Sequence, residues 1–493
     1  MNKNLQGIIL AAGKSTRFNT GKTKLLEKLC GQEMVIYITK LLARLHIQTT
    51  VVVGYQKDDI INTITEYHNN DITCITQEVQ RGTGDALMCT QSVWHAPDLL
   101  ILNGDIPLIT DEIIENLYTQ HRNAHAAISF VTAHHPESNT NTYGRVIQDG
   151  NSIKIVEAAD ISGNTPDDTC CINAGIYIIN RAFLENHLAS LQNNNNKNEF
   201  YITDLVHIAS ENGLTVITAQ APFDYIRGIN TFQELWAAEQ IKKSELIKHW
   251  MDHGVSFSVP QSTIIELDVT IGARSRIGCG VHIMRGSTIG QHCDIQAFSW
   301  IENSTIGDNT TVHAHTIVKD STIGSHTHLG PFAHIRHNTH INDHTIVGNF
   351  VETKNSIIGS HTKAKHLAYL GDATIGSHVN IGAGTITCNH DGTRKHETTI
   401  MDHAYIGSNN TLIAPVTIGY NAFTAAGSVI TTDVPAHALA IARERQINKD
   451  GYALKLRALH NRPAVQEQLS NTAPLSFIAA KRIVYDDSTP EDV

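Results

Sequence analysis

The sequence predicts two different folds in one chain: a mostly parallel α/β sheet in the first half and a β-solenoid in the second. Before about residue 250, short apolar runs alternate with amphipathic segments, and strands that alternate with helices are typical of a parallel α/β sheet. Beyond residue 260, aliphatic residues recur every six positions. This period fits neither an amphipathic helix nor an alternating strand, but it fits a solenoid whose corners repeat every six residues.

The apolar runs of the first half predict strands, and the segments between them predict helices. The strands are Leu5–Leu10, Thr50–Val53, Leu99–Leu102, Ala127–Val131 and Ile176–Ile179, and the helices include Met34–Leu45 and Asp111–His121. Parallel α/β sheets bind ligands beyond the carboxyl ends of their strands, so we expect functional residues in the loops that follow strands. Residues 232–253 contain neither Gly nor Pro and have spaced apolar residues, which predicts a helix that joins the halves.

In the second half, Ile271, Ile277 and Ile283 begin a series that continues with small slips to Val347, and many members precede a Gly. Three such hexapeptides would make one triangular coil with one aliphatic side chain inward at each corner. Two interruptions, Phe350–Ser356 and Asn389–Thr398, predict loops that leave the coil, and such loops tend to have functional roles. Outward positions need only be polar, so most of the 29 His are expected to face solvent.

Charge and composition exclude several classes of protein. The 493 residues include 37 Lys+Arg and 48 Asp+Glu, a net charge of −11, which argues against a protein that binds nucleic-acid backbones. No apolar run approaches the roughly 18 residues needed to span a bilayer. The eight Cys form no CxxC pair, which predicts reduced thiols in a cytoplasmic protein.

Two short segments of the first half have the composition of a nucleotide site. Leu10–Arg17 (LAAGKSTR) follows the first strand, and Lys24 comes soon after it; a small Gly-containing loop lets backbone N–H groups approach a phosphate, which the cations neutralise. Gln77 and Arg81–Asp85 (RGTGD) could face a nucleobase edge with an amide and open backbone. The structural alternatives are an ordinary strand-to-helix turn and a turn that precedes a helix.

A third segment indicates a cation site. The buried run Leu99–Leu102 ends in Asn103-Gly104-Asp105, and a carboxylate at the carboxyl end of a strand suits Mg²⁺, which needs only one or two protein ligands besides phosphates. Asn230 could supply a second oxygen.

Together with further motifs, these residues resemble a known family. The first-half motifs follow the order of a sugar-phosphate nucleotidyltransferase: the opening loop, Gln77 with Gly82-Thr83, Gly104-Asp105, Tyr143–Arg145, Val156-Glu157, Ile172–Gly175, Glu199–Asp204 and Gly228–Asn230. The solenoid motifs are Gly348–Lys354, Lys365–Asp372 and Asn380–Asn389. They resemble the acetyltransferase half of the bifunctional N-acetylglucosamine-1-phosphate uridylyltransferase / glucosamine-1-phosphate N-acetyltransferase family. The resemblance runs from about residue 5 to about residue 450.

The resemblance implies the domain organisation and the reactions. It implies a Rossmann-like α/β nucleotidyltransferase domain at 1–231, a linker helix at 232–253 and a left-handed parallel β-helix at 254–459, followed by a tail, 460–493, expected to be mobile. Glucosamine-1-phosphate would be acetylated from acetyl-CoA, and UTP would then convert the product to UDP-N-acetylglucosamine for the bacterial envelope. The resemblance also implies a cytoplasmic homotrimer that uses Mg²⁺.

Residue roles follow from the same resemblance. UTP and the UDP-sugar would be held by Leu10, Ala11, Ala12, Gly13, Lys24, Gln77, Gly82, Thr83, Gly144, Glu157, Asn173 and Asn230, with Mg²⁺ on Asp105 and Asn230. The sugar phosphate of the acetyltransferase site would be held by Arg336, Lys354, Tyr369 and Asn380. Acetyl-CoA would contact Ala383, Asn389, His390, Ser408, Ala426 and Arg443. His366 would be the general base, because imidazole titrates near neutral pH, and Glu352 could orient it.

The first half departs from the family pattern at four positions. Ser15 replaces a common Gly, Thr23 a Pro, Asn103 a Tyr and Ala159 a Lys, whereas His390 for Tyr in the second half is a milder change. These departures keep open an alternative in which the uridylyltransferase half is weak or accepts another sugar phosphate. A further alternative is a regulatory subunit that binds nucleotide sugars without turnover.

Overall fold

The computed structural model describes residues 4–14, 18, 21–135, 143–150, 152–161 and 171–459. Residues 1–442 form one compact unit and residues 443–493 a second. Ser15, Arg17 and the tail 460–493 lie outside the described residues. In the second unit, Tyr452–Leu459 form a helix.

The first half of the chain forms one mixed sheet. Its strands lie in the spatial order Val216–Gln220, Ile128–His134, Cys171–Asn180, Asp98–Asn103, Leu5–Ala11, Gln48–Val53 and Thr73–Thr76, and Arg145–Asp149 pairs with Cys171–Asn180 and with Ser152–Val156. Adjacent pairs of the main path are parallel, except that Cys171–Asn180 is antiparallel to both neighbours. Ile8 and Ile9 on successive positions are both fully buried, because helices cover both faces of the sheet.

Helices connect these strands and end the first half. The helices of the first 442 residues are Met34–Arg44, Lys57–His68, Thr83–Met88, Asp111–Asn123, Arg181–His187, Asp204–Glu211, Phe223–Ile226 and Phe232–Asp252, and a short hairpin pairs Lys28–Leu29 with Gln32–Glu33. Of the helices in the described ranges, none combines the length and apolar character that crossing a membrane requires. The seven cysteines within these ranges are free.

The joining helix, Phe232–Asp252, also positions a predicted site residue. Its N-cap Thr231 accepts a hydrogen bond from the Glu234 amide, 3.2 Å between Oγ1 and N. The Glu234 carboxylate reaches back to the amide of Asn230 at 2.7 Å, as in a capping box. The local cap therefore holds Asn230 in place beside the sheet.

The second half is a parallel β-helix with three long sheets. In the described residues the first sheet stacks Ser256–Phe257, Arg276–Ile277, Asp294–Ile295, Thr311–Val312, His328–Leu329, Ile346–Asn349, Lys363–His366, Asn380–Ile381, Tyr405–Ile406, Phe423–Thr424 and Leu439–Ala440. The second stacks Ile264–Ile265, His282–Met284, Trp300–Glu302, Ile317–Lys319, His334–Arg336, Glu352–Lys354, Tyr369–Gly371, Ile386–Cys388, Thr411–Ile413 and Val429–Ile430. The third stacks Thr270–Ile271, Thr288–Ile289, Thr305–Ile306, Thr322–Ile323, His340–Ile341, Ile357–Ile358, Ala373–Ile375, Thr398–Ile400 and Val416–Ile418. The predicted fold class, a mostly parallel α/β half followed by a left-handed parallel β-helix, is confirmed.

The interior of the β-helix contains polar as well as aliphatic side chains. The aliphatic series is buried as predicted, but a row of Thr and Ser is buried too, although small polar residues were expected only outside. Thr362 shows why: its hydroxyl donates to the Gly376 carbonyl at 2.7 Å and accepts from the Val379 amide at 3.0 Å, both in the next coil. These two bonds satisfy the buried hydroxyl of Thr362, which offsets the cost of burying it.

Several of the outward-facing His form a stack along one corner of the β-helix. His326, His344, His361, His378 and His403 are exposed, and successive ring centroids lie 4.7–4.9 Å apart. The coil repeat places equivalent corners one above another, so identical rings stack face to face. These five His are therefore surface residues of the repeat, as the sequence predicts for most of them.

The two predicted interruptions of the coil differ in structure. Asn389–Thr398 does leave the coil, as the isolated bridge between His390 and Lys395 shows. The prediction of a loop at Phe350–Ser356 is wrong, because Glu352–Lys354 is a regular strand paired with both neighbouring coils. Its corner residue Phe350 stacks on Phe332, so an unusual sequence fills an ordinary coil.

The adjacent residues Ile357 and Ile358 test how much the buried series stabilises the β-helix. Ile358 is 0% exposed and Ile357 is 48% exposed, so Ile358→Ala should leave a cavity and lower the free energy of unfolding by about 2–5 kcal/mol. Ile357→Ala should change it by less than about 1 kcal/mol. Urea denaturation followed by circular dichroism measures both; equal losses would contradict the assigned orientation.

Candidate functional site

A cavity of about 560 Å³ lies where the strands Leu5–Ala11 and Asp98–Asn103 end. This is the carboxyl edge at which a parallel sheet binds its ligands. Of the predicted site residues, the cavity brings together Leu10, Ala11, Ala12, Gly13, Lys24, Gln77, Gly82, Thr83 and Asp105. Asn103 lines it as well, and so do Val79, Gln80 and Glu199, which the sequence reasoning did not assign.

Lys24 joins segments of the first half that are distant in sequence. Its Nζ lies 2.6 Å from Asp105 Oδ2 and 2.7 Å from Asn230 Oδ1. Thr23, the residue before it, caps the short turn Lys24–Leu26 and donates its backbone N–H to Gln56 Oε1 at 2.6 Å. The usual Pro has no N–H to give, so Thr23 anchors this turn by a bond that Pro could not make.

The oxygens around Lys24 also fit a magnesium ion. Asp105 Oδ2 and Asn230 Oδ1 converge on one cation, the Lys24 ammonium, while Asp105 Oδ1 is buried without a hydrogen-bond partner. Carboxylate and amide oxygens are the hard ligands that Mg²⁺ prefers. Within the described ranges, no group of three or more His, Cys, Asp or Glu could hold a metal, so the remaining ligands would be phosphate and water oxygens.

Gln77 and the Gly82-Thr83 turn form the opposite wall of this cavity. Gln77 is buried, and its Nε2 donates to Asp85 Oδ2 at 2.7 Å and to the Gly82 carbonyl at 3.2 Å. Because both amide hydrogens are used, the Gln77 oxygen is the group left for a ligand. Gly82 has φ +107°, and a Cβ there would lie 2.5 Å from the Phe200 carbonyl oxygen, so only Gly fits.

Three of the four residues that the family resemblance assigns to the sugar, Gly144, Glu157 and Asn173, lie together outside the lining of that cavity. The Asn173 amide donates to the Gly144 carbonyl at 2.9 Å, and Glu157 Oε1 accepts from the Thr203 hydroxyl at 3.0 Å. Burial raises the pKa of Glu157 above its usual value, because desolvation disfavours the carboxylate.

Asn103 lies between the nucleotide cavity and the residues assigned to the sugar, Gly144, Glu157 and Asn173. A Cβ on Gly175, two residues after Asn173, would lie 2.2 Å from Asn103 Nδ2, so Asn103 packs directly on that glycine. It therefore lies between the two groups, where the family commonly has a Tyr. Ala159, another departure, is exposed, and its carbonyl accepts from Asn196 Nδ2 at 2.8 Å.

In the β-helix, His366 has a partner different from the one expected. Its Nδ1 lies 2.6 Å from Asn349 Oδ1. The expectation that Glu352 orients His366 is wrong, because Glu352 Oε1 accepts from Arg336 Nε at 2.9 Å and from its Nη2 at 2.5 Å. Coil register explains this difference: Asn349 lies directly opposite His366, whereas Glu352 lies opposite Tyr369.

Three cationic side chains, Arg336, Lys354 and Lys395, lie close together on the coils near His366. Arg336 and Lys354 are ladder partners in adjacent coils, and Lys395 approaches Lys354 from the loop Asn389–Thr398. The ammonium of Lys395, and to a smaller extent the Arg336 guanidinium, lower the pKa of Lys354, because like charges disfavour the protonated form. A phosphate dianion at this place would relieve that repulsion. Sequence reasoning did not assign Lys395.

Apart from Arg443, the remaining predicted residues of this half lie on nearby coils. Tyr369 packs over Gly371, and Asn389 Nδ2 donates to Asp372 Oδ2 at 2.5 Å. Asn380 pairs with Lys363 in the coil below, and His390 begins the bridge that closes the loop. Ala383, Ser408 and Ala426 occupy equivalent positions three residues after the paired strand residues Asn380, Tyr405 and Phe423. Arg443 belongs to the second unit.

Comparison with protein families and curated proteins places both halves. Residues 7–157 match the MobA-like NTP transferase domain, and residues 259–366 match the GMPPB C-terminal domain. The protein "Bifunctional protein GlmU" of Alkaliphilus metalliredigens is 40% identical over 457 residues, which are 92% of this chain and 98% of that protein. Proteins of the same name from Fervidobacterium nodosum and Geobacter sulfurreducens are each 39% identical, cover 91% and 92% of this chain, and are themselves covered to 97% and 99%. These similarities confirm the resemblance seen in the sequence motifs, and the chain belongs to the family of bifunctional GlmU proteins.

Proposed function

We propose that the chain acetylates glucosamine-1-phosphate from acetyl-CoA and then transfers uridylyl from UTP to N-acetylglucosamine-1-phosphate, releasing pyrophosphate. The observation that supports both activities is similarity to bifunctional relatives over 92% of the chain, across both halves. A non-catalytic nucleotide-sugar binder is disfavoured, because such a protein needs neither the Lys24–Asp105 pair nor a base such as His366. A two-step assay that follows acetyl and uridylyl transfer separately on one preparation tests the proposal, and failure of either reaction contradicts it for that half.

The uridylyl transfer would use the 560 Å³ cavity. The sugar phosphate oxygen attacks the α-phosphorus of UTP, and the bond to the pyrophosphate leaving group breaks. Phosphoryl-type transfers need positioning and charge neutralisation more than covalent help, and Lys24 supplies a cation at the edge of the cavity. Mg²⁺ held by Asp105 and Asn230 would neutralise phosphate charge. Gln77 and the Gly82-Thr83 backbone would hold the uracil.

The acetyl transfer would use the cation cluster and His366. Arg336, Lys354 and Lys395 would bind the phosphate of the sugar, so that the amine lies near His366. The amine nitrogen attacks the thioester carbonyl, His366 accepts the proton that the nitrogen loses, and the carbon–sulfur bond breaks to release CoA. The cofactor would contact Ala383, Ser408 and Ala426, which occupy equivalent positions in successive coils, together with Asn389 and His390.

The finer assignments belong to the same proposal. We propose the boundaries 1–231, 232–253 and 254–459 for the two catalytic domains and their linker helix. We also propose a homotrimer in a reducing cytoplasm, which agrees with the free thiols of the described cysteines. Light scattering tests the assembly, and a monomer that is fully active in acetyl transfer would contradict it.

Asn103 offers a test of the sugar site. Asn103→Ala should raise the KM for N-acetylglucosamine-1-phosphate about 10-fold, since losing one polar contact costs about 1–1.5 kcal/mol, with little change in the KM for UTP. Asn123→Ala, at the exposed end of a helix, is the matched control. An unchanged KM for the sugar phosphate, or equal changes for both substrates, would contradict the placement of Asn103 between the two groups. Repeating the assay with other hexosamine phosphates tests the alternative of a different sugar.

A further inference from the structure

We infer that Asn349 is the positioning residue that holds His366 as a neutral base with its Nε2 lone pair directed outward. The inference rests on the proposed acetyl transfer, in which His366 accepts a proton. It begins from one contact, 2.6 Å between His366 Nδ1 and Asn349 Oδ1. Neither the spacing of the sequence nor the family motifs assigned this role to Asn349.

The coil register, rather than chance, brings the two side chains together. Asn349 ends the strand Ile346–Asn349, His366 ends the strand Lys363–His366, and the two are direct partners in the parallel ladder. The Leu367 amide donates to the Asn349 carbonyl at 3.0 Å, which continues the pairing one residue further. Residues opposite each other in neighbouring strands, about 4.8 Å apart, project to the same side, so the imidazole lies beside the amide.

The chemistry of the contact determines which nitrogen of His366 is protonated. An amide oxygen can only accept a hydrogen bond, so the imidazole must donate from Nδ1. In the neutral ring the other nitrogen, Nε2, then has the lone pair. A general base needs that lone pair toward the amine, and rotation of the ring would break the bond to Asn349.

A neutral partner has a further consequence for the base. A carboxylate at the place of Asn349 would stabilise the imidazolium and keep the ring protonated to higher pH. The nearby carboxylate that could do so, Glu352, is occupied by two hydrogen bonds from Arg336. Asn349 therefore orients His366 without placing a negative charge beside the imidazole.

Two variants separate orientation from charge. Asn349→Ala removes the acceptor and should lower kcat for acetyl transfer about 10- to 100-fold, with each KM within about twofold, since general-base catalysis contributes about 10²–10⁴-fold in total. Asn349→Asp has the same shape but adds a charge, so the acidic limb of its kcat/KM profile should move up by about one pH unit. Its activity should then fall at pH 6.5 and recover toward the wild-type value at pH 8.5.

Two controls are available for these variants: a second Asn–His contact in the β-helix, and the uridylyl transfer activity of the same protein. Asn421 and His437 form a second Asn–His contact in the β-helix, 3.2 Å between Asn421 Nδ2 and His437 Nδ1, and Asn421→Asp should leave the acidic limb unchanged. Uridylyl transfer by the same preparations should equal wild type, and unchanged thermal unfolding by circular dichroism shows that each variant is folded.

The possible outcomes distinguish this inference from the proposed function. If wild type acetylates and His366→Ala does not, a wild-type kcat in Asn349→Ala or an unmoved acidic limb in Asn349→Asp overturns the role of Asn349 alone. A wild-type chain that transfers uridylyl but not acetyl overturns the proposed function of this half, and the inference with it. A limb that also moves in Asn421→Asp overturns the inference, because the shift would then be a general effect of charge.

Discussion

Replacing His366 by alanine should lower acetyl transfer by about 10²–10⁴-fold and leave uridylyl transfer at its wild-type rate. The variant removes the only group proposed to accept the proton of the attacking amine. His366 is exposed and lies at the end of a paired strand, so its loss removes no buried contact that would threaten the fold.

The measurement is a pair of assays on one preparation, with thioester cleavage for the first reaction and pyrophosphate release for the second. His340→Ala is a suitable control, because His340 is also an exposed strand residue of the β-helix and should leave both rates unchanged. A parallel loss of both activities in His366→Ala would contradict separate sites. Full acetyl transfer would show that the base is another group.

Replacing Lys24 by alanine should have the opposite effect: uridylyl transfer falls by about 10²–10³-fold, while acetyl transfer is retained. Removing one group that stabilises transition-state charge typically costs this much. Lys24 is also the cation that separates Asp105 Oδ2 from Asn230 Oδ1, so the variant leaves two acceptors facing each other at the edge of the cavity.

The control for this variant is Lys57→Ala, which should keep both activities. In the wild-type chain, the ammonium of Lys57 forms a partly exposed ion pair with Glu78 at 3.5 Å. Thermal unfolding by circular dichroism shows whether Lys24→Ala remains folded. A Lys24→Ala enzyme with undiminished uridylyl transfer would refute the assignment of this cavity. Together, the His366 and Lys24 variants should each lose most of one activity and keep the other.

Much of the fold follows from the sequence because its determinants are local. The six-residue aliphatic period predicts the β-helix, since every coil packs against the next in the same way and the same signal is repeated many times. The strands of the first sheet were predicted from apolar runs, because strands buried on both faces are nearly continuous in apolar residues. The inversion of Cys171–Asn180 was not predicted, because strand direction depends on how the chain returns to the sheet.

In the candidate sites too, the sequence predicts some features and only the tertiary structure reveals others. The family motifs assigned roles to Lys24, Asp105 and His366, and the buried run Leu99–Leu102 placed Asp105 at the end of a strand. The contacts that define their chemistry join residues far apart: Lys24 meets Asn230 across 206 positions and His366 meets Asn349 across 17. Nothing in the local sequence distinguishes Asn349 from Glu352 as the partner of His366.

The amino-acid sequence by itself determined the two folds, the family and the residue types of both candidate sites, because repeats and motifs are properties of neighbouring residues. Only the tertiary structure decided that Phe350–Ser356 stays in the coil, that a row of Thr and Ser lies inside it, and that Asn349 rather than Glu352 binds His366. The physical reason is register: which side chains meet depends on how each coil stacks on the one before it, and a shift of three positions exchanges a neutral amide for a carboxylate that is paired with Arg336.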